Sequence, residues 1–353
     1  MKYMKKSFEG MEPYFSKNIT EGIILNANES PYNVPLKIKE EFEQRIKDVN
    51  YNRYPDMAAV DLCNAIAKKF NVKPSNVTVG VGSDELIETT FRCALEPNDI
   101  VLSFSPSFSM YQVFTELSLA KFIPVDFKNN LFDVDLMIEL INKYNPKLVL
   151  ICTPNNPNGA FLEEAEIRRI AKNTKGLVLL DLAYIDFAKC DYTYLGMEYD
   201  NIIVFRTFSK AMSLPSIRVG YAISNEDNIN MINAVKPPYS VTSLSLIMAE
   251  IAIKNYDLYK ENIELIKSER QRLINEFKKL GYNVLPSEAN FIYLNISKEL
   301  DDLLIENKIY IRKFKSGPAR ITVGSKFEND SLLKVVQIYE NSRNWKKYKR
   351  NKN

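Results

Sequence analysis

At 353 residues the chain exceeds an average single domain, and the usual ~100–200 residues per domain predicts two, with a sizeable core. Hydrophobic residues at 46% and charged residues at 26% exclude wholesale disorder, and a net charge of +3 spread along the chain argues against a nucleic-acid partner. No apolar run reaches the ~18 residues of a membrane span, and Met1-Lys2-Tyr3-Met4-Lys5-Lys6 leads into polar sequence, so the expected location is cytoplasmic and no membrane partner is expected.

The segment before about Ile38 has no strong period and contains Pro13, Pro31 and Pro35; residues 1–48 are expected to form an arm packed on the second domain. From about residue 75 to 225, short apolar runs alternate with longer amphipathic stretches. Strands are predicted at Val77–Val81, Ile100–Phe104, Lys121–Val125, Leu148–Cys152, Leu177–Asp181, Ile202–Phe205 and Val219–Ile223. Helices are predicted at Asp84–Leu95, Met110–Ser118, Leu136–Tyr144 and Glu163–Ala171. This alternation predicts an α/β domain over residues 49–236, with a mostly parallel sheet sandwiched by helices.

Beyond Lys236-Pro237-Pro238, one long helical stretch is predicted from about Val241 to Leu280, rich in Glu–Lys spacings. A smaller α+β unit follows, with strands at Phe291–Asn295, Tyr310–Lys313 and Arg320–Val323 and a closing helix over Asn329–Asn341; it completes a second region over residues 237–342. Residues 343–353 read as a solvated, frayed basic tail.

Four cysteines, Cys63, Cys93, Cys152 and Cys190, form no CxxC pair and read as buried free thiols of a reducing compartment. The chain has no histidine, which removes an imidazole base, a Ser-His pair and a His-ligated metal; no metal is expected. Lysine is the obvious alternative proton shuttle.

Lys210 stands in Thr207-Phe208-Ser209-Lys210, eight residues before Arg218. An amine for a Schiff base, hydroxyls beside it and a guanidinium returning to a phosphate are what a pyridoxal phosphate site needs. Asp181 ends an apolar run and can keep a pyridine nitrogen protonated, while Tyr184 and Asn156 can hydrogen-bond the ring hydroxyl. Their plain readings are a turn residue, a core tyrosine and an Asn-Pro turn; the three together in order favour the cofactor site. Gly80-Val81-Gly82-Ser83-Asp84 is a glycine turn opening a helix, with Ser83 as N-cap and free N–H groups for a phosphate. Phe108 either stacks on the ring or packs in the core. Arg320 begins an apolar strand and needs an anionic partner, either a substrate carboxylate or phosphate or a structural ion pair.

Together these motifs resemble the fold-type I pyridoxal phosphate aminotransferases, and within them the histidinol-phosphate aminotransferases. The resemblance runs over nearly the whole length, through Leu25-Asn26-Ala27-Asn28-Glu29-Ser30-Pro31, Arg53-Tyr54-Pro55-Asp56, Pro154-Asn155-Asn156-Pro157 and Arg320-Ile321-Thr322-Val323-Gly324. It implies a large cofactor domain, a smaller α+β domain and a homodimer. It also implies transamination between L-histidinol phosphate and 2-oxoglutarate, a ping-pong reaction of histidine biosynthesis, with pyridoxal 5'-phosphate as cofactor. By the same resemblance Lys210 is the Schiff-base lysine and acid–base group, Asp181 pairs with the pyridine nitrogen, and Asn156 and Tyr184 hold the ring hydroxyl. Ser83, Asp84, Thr207, Ser209 and Arg218 hold the phosphate, joined by Tyr54 of the neighbouring subunit; Arg320 holds the substrate anion and Arg312 is a weaker second contact. Departures are Leu182, Asn158 and Pro215, the last shared with threonine-phosphate decarboxylase. That activity, aromatic amino acid transamination and a cofactor-binding regulatory protein stay open as alternatives.

Overall fold

A computed structural model describes residues 5–11, 19–315 and 317–350. Residues 1–4 of the opening segment, Pro13 and Lys352 of the tail lie outside them. The described chain begins with strand β1 (Ile23–Leu25), helix α1 (Leu36–Arg45) and helix α2 (Val60–Phe70). It then alternates through β2 (Val77–Val81), α3 (Gly82–Ala94), β3 (Ile100–Ser105), α4 (Met110–Leu117), β4 (Lys121–Asp126), α5 (Val134–Tyr144), β5 (Leu148–Cys152), α6 (Glu164–Asn173) and β6 (Leu177–Asp181). A short α7 (Leu195–Glu198) leads into β7 (Ile202–Thr207), β8 (Val219–Ile223) and α8 (Glu226–Val235).

Strands β2 to β8 form one seven-stranded sheet in the order β2-β8-β7-β6-β5-β3-β4, parallel except for β8, which runs against both of its neighbours. The central strands are mostly apolar because helices cover both faces, with Arg206, Thr207 and Asp181 the buried exceptions toward the ends of β7 and β6. Successive side chains of β5 go to opposite cores: Val149 and Ile151 join one cluster, while Leu148, Leu150 and Cys152 join the other. In β6, Leu179 lies with the second set. Two residues on, Asp181 takes the same face, toward α4.

The strands predicted in this region are those observed, to within two residues at their ends. Helices α1, α2 and α8 have no counterpart in the sequence reading. Helix α2 is started by a local device in which Asp56 accepts from the amides of Ala58 and Val60. Ser83 is not an N-cap: α3 begins at Gly82, and the Glu85 carboxylate reaches back to the Val81 amide at 2.6 Å.

The single long helix predicted over Val241–Leu280 is instead two, α9 (Ser243–Lys254) and α10 (Lys260–Lys279), separated by a 3-10 turn at Tyr256–Tyr259. The two stretches bury different surfaces. Helix α9 is packed on α1, α2 and β8 with Leu246, Ala249, Ile251, Ala252 and Ile253 buried, whereas α10 keeps one apolar stripe and carries the Glu–Lys ion pairs. Asn255 closes the first helix by donating to the Ile251 carbonyl.

The second sheet contains β9 (Phe291–Asn295), β10 (Ile309–Lys313) and β11 (Pro318–Thr322), with α11 (Lys298–Glu306) between the first two. Its order is β1-β10-β11-β9, so the start of the chain enters it as a parallel edge strand. The closing helix α12 spans Lys326–Arg350, and so runs on through the basic segment instead of fraying after Asn341. It starts with a reciprocal cap between Ser325 and Glu328.

Candidate active site

The carboxyl ends of β5, β6 and β7 meet the start of α3 around a cavity of about 190 Å3. Ligand sites of parallel sheets form at this edge, where loops leave the strands. Ser83, Asp84, Phe108, Asn156, Asp181, Tyr184, Thr207, Ser209, Lys210 and Arg218 all line it. Residues spread over 136 positions of sequence are thus gathered by topology alone.

Asp181 is buried at the end of β6, where its carboxylate accepts from the Tyr111 hydroxyl at 2.6 Å and from the Ala183 amide at 3.0 Å. Burial raises its pKa to about 6 against the lowering effect of those two bonds. A carboxylate so placed gains from a cationic partner on the cavity side. A protonated pyridine nitrogen is such a partner.

Lys210 follows β7 and its amine donates to the Ala27 carbonyl at 3.0 Å. Burial, and then the nearby Arg320 guanidinium, lower its pKa to about 8. Tyr184 is buried, with its ring edge against Phe291, and its hydroxyl accepts from the Asn28 side-chain amide at 2.9 Å. Arg320 donates to Asn156 Oδ1 at 2.5 Å and to the Asn26 carbonyl at 2.8 Å. The loop bearing Asn156 is itself fixed to the smaller sheet, since the Glu288 amide donates to the Gly159 carbonyl at 3.0 Å. A Cβ on Gly159 would stand 2.2 Å from Ser287 Oγ, and its φ of +74° is one that glycine alone adopts freely.

A second group is built for an anion. Thr207 and Ser209 hydroxyls lie 3.0 Å apart, Arg218 reaches Ser209 Oγ at 3.5 Å and Asp84 at 3.3 Å, and the first turn of α3 brings its free amides to the same place. The close approach of β8 to α3 requires Gly220, whose added Cβ would lie 2.2 Å from the Ser83 nitrogen. We expect Gly220→Ala to cost about 1–3 kcal/mol of stability by overpacking and to weaken phosphate binding at least tenfold; denaturant melts and titration with pyridoxal phosphate check both.

Three sequence-predicted residues are not on the cavity wall: Arg320 lies just behind it, bonded to the wall residue Asn156, and Tyr54 and Arg312 lie farther off. Tyr54 is 81% exposed and stacks on Tyr239 with ring centroids 4.7 Å apart. Arg312 lies opposite Arg320 in the β10–β11 register, one strand farther from the cavity. Phe108 does line the cavity, edge-on to Tyr111 at 5.5 Å. The sequence reading missed Tyr111, Asn28 and Cys152. Tyr111 lies in the first turn of α4, just past Phe108, and faces Asp181. Cys152 carries no local signal, since only the sheet register sets it opposite Asp181.

The sequence profile of "Aminotransferase class I and II" matches residues 20–336. The chain belongs to this family. Among curated aminotransferases, the histidinol-phosphate aminotransferase of Thermoanaerobacter sp. (strain X514) is 37% identical over 340 residues, covering 94% of this chain and 96% of that protein. That of Pyrococcus furiosus is 34% identical over 331 residues, covering 93% and 95%. In fold, the chain is similar to the crystal structure of histidinol-phosphate aminotransferase from Sinorhizobium meliloti in complex with pyridoxal-5'-phosphate, with a TM-score of 0.88, 22% identity and coverage of 97% and 98%. An aspartate aminotransferase variant from Thermus thermophilus gives a TM-score of 0.83 at 18% identity, covering 97% and 100%. This aminotransferase is therefore a pyridoxal phosphate enzyme with the fold-type I architecture, which answers the regulatory-protein alternative. No helix among its described residues is long and apolar enough to cross a membrane.

Proposed function

We propose that the protein transfers the amino group of L-histidinol phosphate to 2-oxoglutarate, within histidine biosynthesis. The observation that carries the reading is a pair of separate guanidinium groups around one amine. Arg218 sits in the phosphate cradle and Arg320 beside Asn156, and both lower the pKa of Lys210. One anion site serves the cofactor and leaves a second for a substrate phosphate or carboxylate. The curated relatives carrying this substrate in their names, at 33–37% identity over nearly the whole chain, support it.

The residues fit pyridoxal phosphate on chemical grounds: a buried carboxylate with raised pKa, a phenol and an amide facing the cavity, and an amide-and-hydroxyl cradle closed by an arginine. When bound, the cofactor supplies an aldehyde for the amine and a ring that withdraws electrons from the substrate α-carbon. Asp181 holds a proton on the pyridine nitrogen, Asn156 and Tyr184 orient the ring oxygen, and Phe108 covers a ring face. Ser83 and Asp84 contribute backbone amides, and Thr207, Ser209 and Arg218 side chains, to the phosphate. Lys210 moves a proton at the α-carbon; with a pKa of about 8, roughly a tenth of it is neutral at pH 7, far more than for an ordinary lysine. Arg320 binds the donor's phosphate and then the acceptor's carboxylate, assisted weakly by Arg312.

A homodimer with shared sites belongs to the same reading. Tyr51, Tyr54, Met57 and Val60 are exposed along one segment, which suits burial against a second copy, with Tyr54 reaching the partner's phosphate. A monomer mass in sedimentation would sink this part.

The test is a half-reaction: cofactor-loaded protein mixed with histidinol phosphate alone and followed by absorbance. Conversion to the amine form of the cofactor, reversed by 2-oxoglutarate, is the expected result. An unchanged spectrum overturns the substrate. Release of carbon dioxide from O-phosphothreonine would transfer the assignment to a decarboxylase.

A further inference from the structure

Asn28 is 1% exposed, holds a left-handed backbone with φ of 55°, and is tied on every polar atom. Its amide donates to Thr322 Oγ1 at 3.0 Å, its carbonyl accepts from Asn290 Nδ2 at 3.1 Å, and its Oδ1 accepts from Thr322 Oγ1 at 3.3 Å. That leaves the side-chain amide nitrogen, which donates to the Tyr184 hydroxyl oxygen at 2.9 Å. The preceding residue, Ala27, accepts from the Lys210 amine. Two consecutive residues of the arm therefore touch the polar atoms of the two side chains nearest the chemistry.

An amide N–H can only donate, so the Tyr184 oxygen accepts on that side and its own proton must point elsewhere. With the ring held edge-on by Phe291, the open direction is the cavity. Accepting one hydrogen bond also makes the phenol a stronger donor in the next. We propose that Asn28 is a positioning residue that makes Tyr184 an obligate, strengthened donor toward the cofactor's ring oxygen. This rests on the reading that Tyr184 holds that oxygen. Because the backbone of Asn28 is pinned to β11 and to Asn290, the arm, which enters the smaller sheet through β1, sets the proton affinity of a group in the larger domain.

The test is a pH titration of the visible absorbance of the cofactor-loaded protein. Donation to the ring oxygen lowers the basicity of the nitrogen joined to Lys210, so weakening it raises the midpoint. Asn28→Leu is expected to raise that midpoint by about half a pH unit, the scale of one neutral hydrogen bond. Asn28→Asp, which keeps the shape and removes the donor, is expected to raise it further. Both shifts should vanish in a Tyr184→Phe background. An unchanged midpoint in either single variant, with melting temperature showing it folded, overturns the proposal, as does an equal shift in the Tyr184→Phe background. If Asn28→Leu does not fold, Asn28→Asp is read alone by the same criteria. If Tyr184→Phe itself leaves the midpoint in place, the underlying reading of Tyr184 fails, and a shift by Asn28 variants alone would then act through another group.

Discussion

Lys210→Ala is expected to abolish turnover while leaving the protein folded and able to bind pyridoxal phosphate through the cradle. Loss of general acid–base transfer alone accounts for roughly 10^2–10^4-fold; loss of the covalent attachment adds to it. The lysine side chain carries little of the fold, because its amine donates to the Ala27 carbonyl and its ammonium form is disfavoured by burial. Removing it relieves that cost, so the cofactor-free variant should melt no lower than the parent near pH 7. Single-turnover absorbance with histidinol phosphate, together with a denaturant melt, gives both halves. Near-normal turnover would refute the assignment of Lys210, whatever the substrate.

Asp181→Asn is expected to separate stability from activity. The carboxyl binds its proton more tightly in the folded state, at about 6 against 3.8. Its favourable contribution is thus complete below pH 3.8 and is lost as the pH rises through 6. At pH 8 the cofactor-free parent holds a buried charge, and the neutral variant should be more stable by up to about 3 kcal/mol. That advantage should shrink toward pH 4.5. With the cofactor bound, Asp181 has a cation to face and the order should reverse. Activity should fall by about 2–5 kcal/mol of transition-state stabilisation, roughly thirty- to several-thousand-fold, the scale of breaking a buried charge pair. Urea melts with and without cofactor at the two pH values decide the matter, and a variant less stable than the parent at pH 8 without cofactor contradicts it.

The strands of the large sheet were legible because a strand buried on both faces must be continuously apolar, and Leu148–Cys152 and Leu177–Asp181 read that way without any partner in view. The chemistry was legible for a related reason. A buried Asp or Arg among apolar residues is anomalous locally, so Asp181 and Arg320 stand out in one dimension. What stayed hidden depends on contacts across the fold. Asn28 is an ordinary loop residue until Tyr184, 156 positions away, is brought to it. Helices α1 and α2 were obscured by prolines and by a start signal carried on Asp56. The false continuity of α9 and α10 arose because helical periodicity says nothing about which body each turn packs against.

The bond between Gly159 and Glu288 bears on how the two sheets can move. Asn156 lies three residues from a point where the loops of both are fastened, with no room for even a methyl group. The same parts are fastened again where Arg320 donates to Asn156, Asn28 to Tyr184 and Lys210 to Ala27, so the smaller sheet and the arm are held to the cavity at several places and not at one hinge. An anion that reached Arg320 would thus act on Asn156 and Asn26 as well, since one guanidinium is bonded to both.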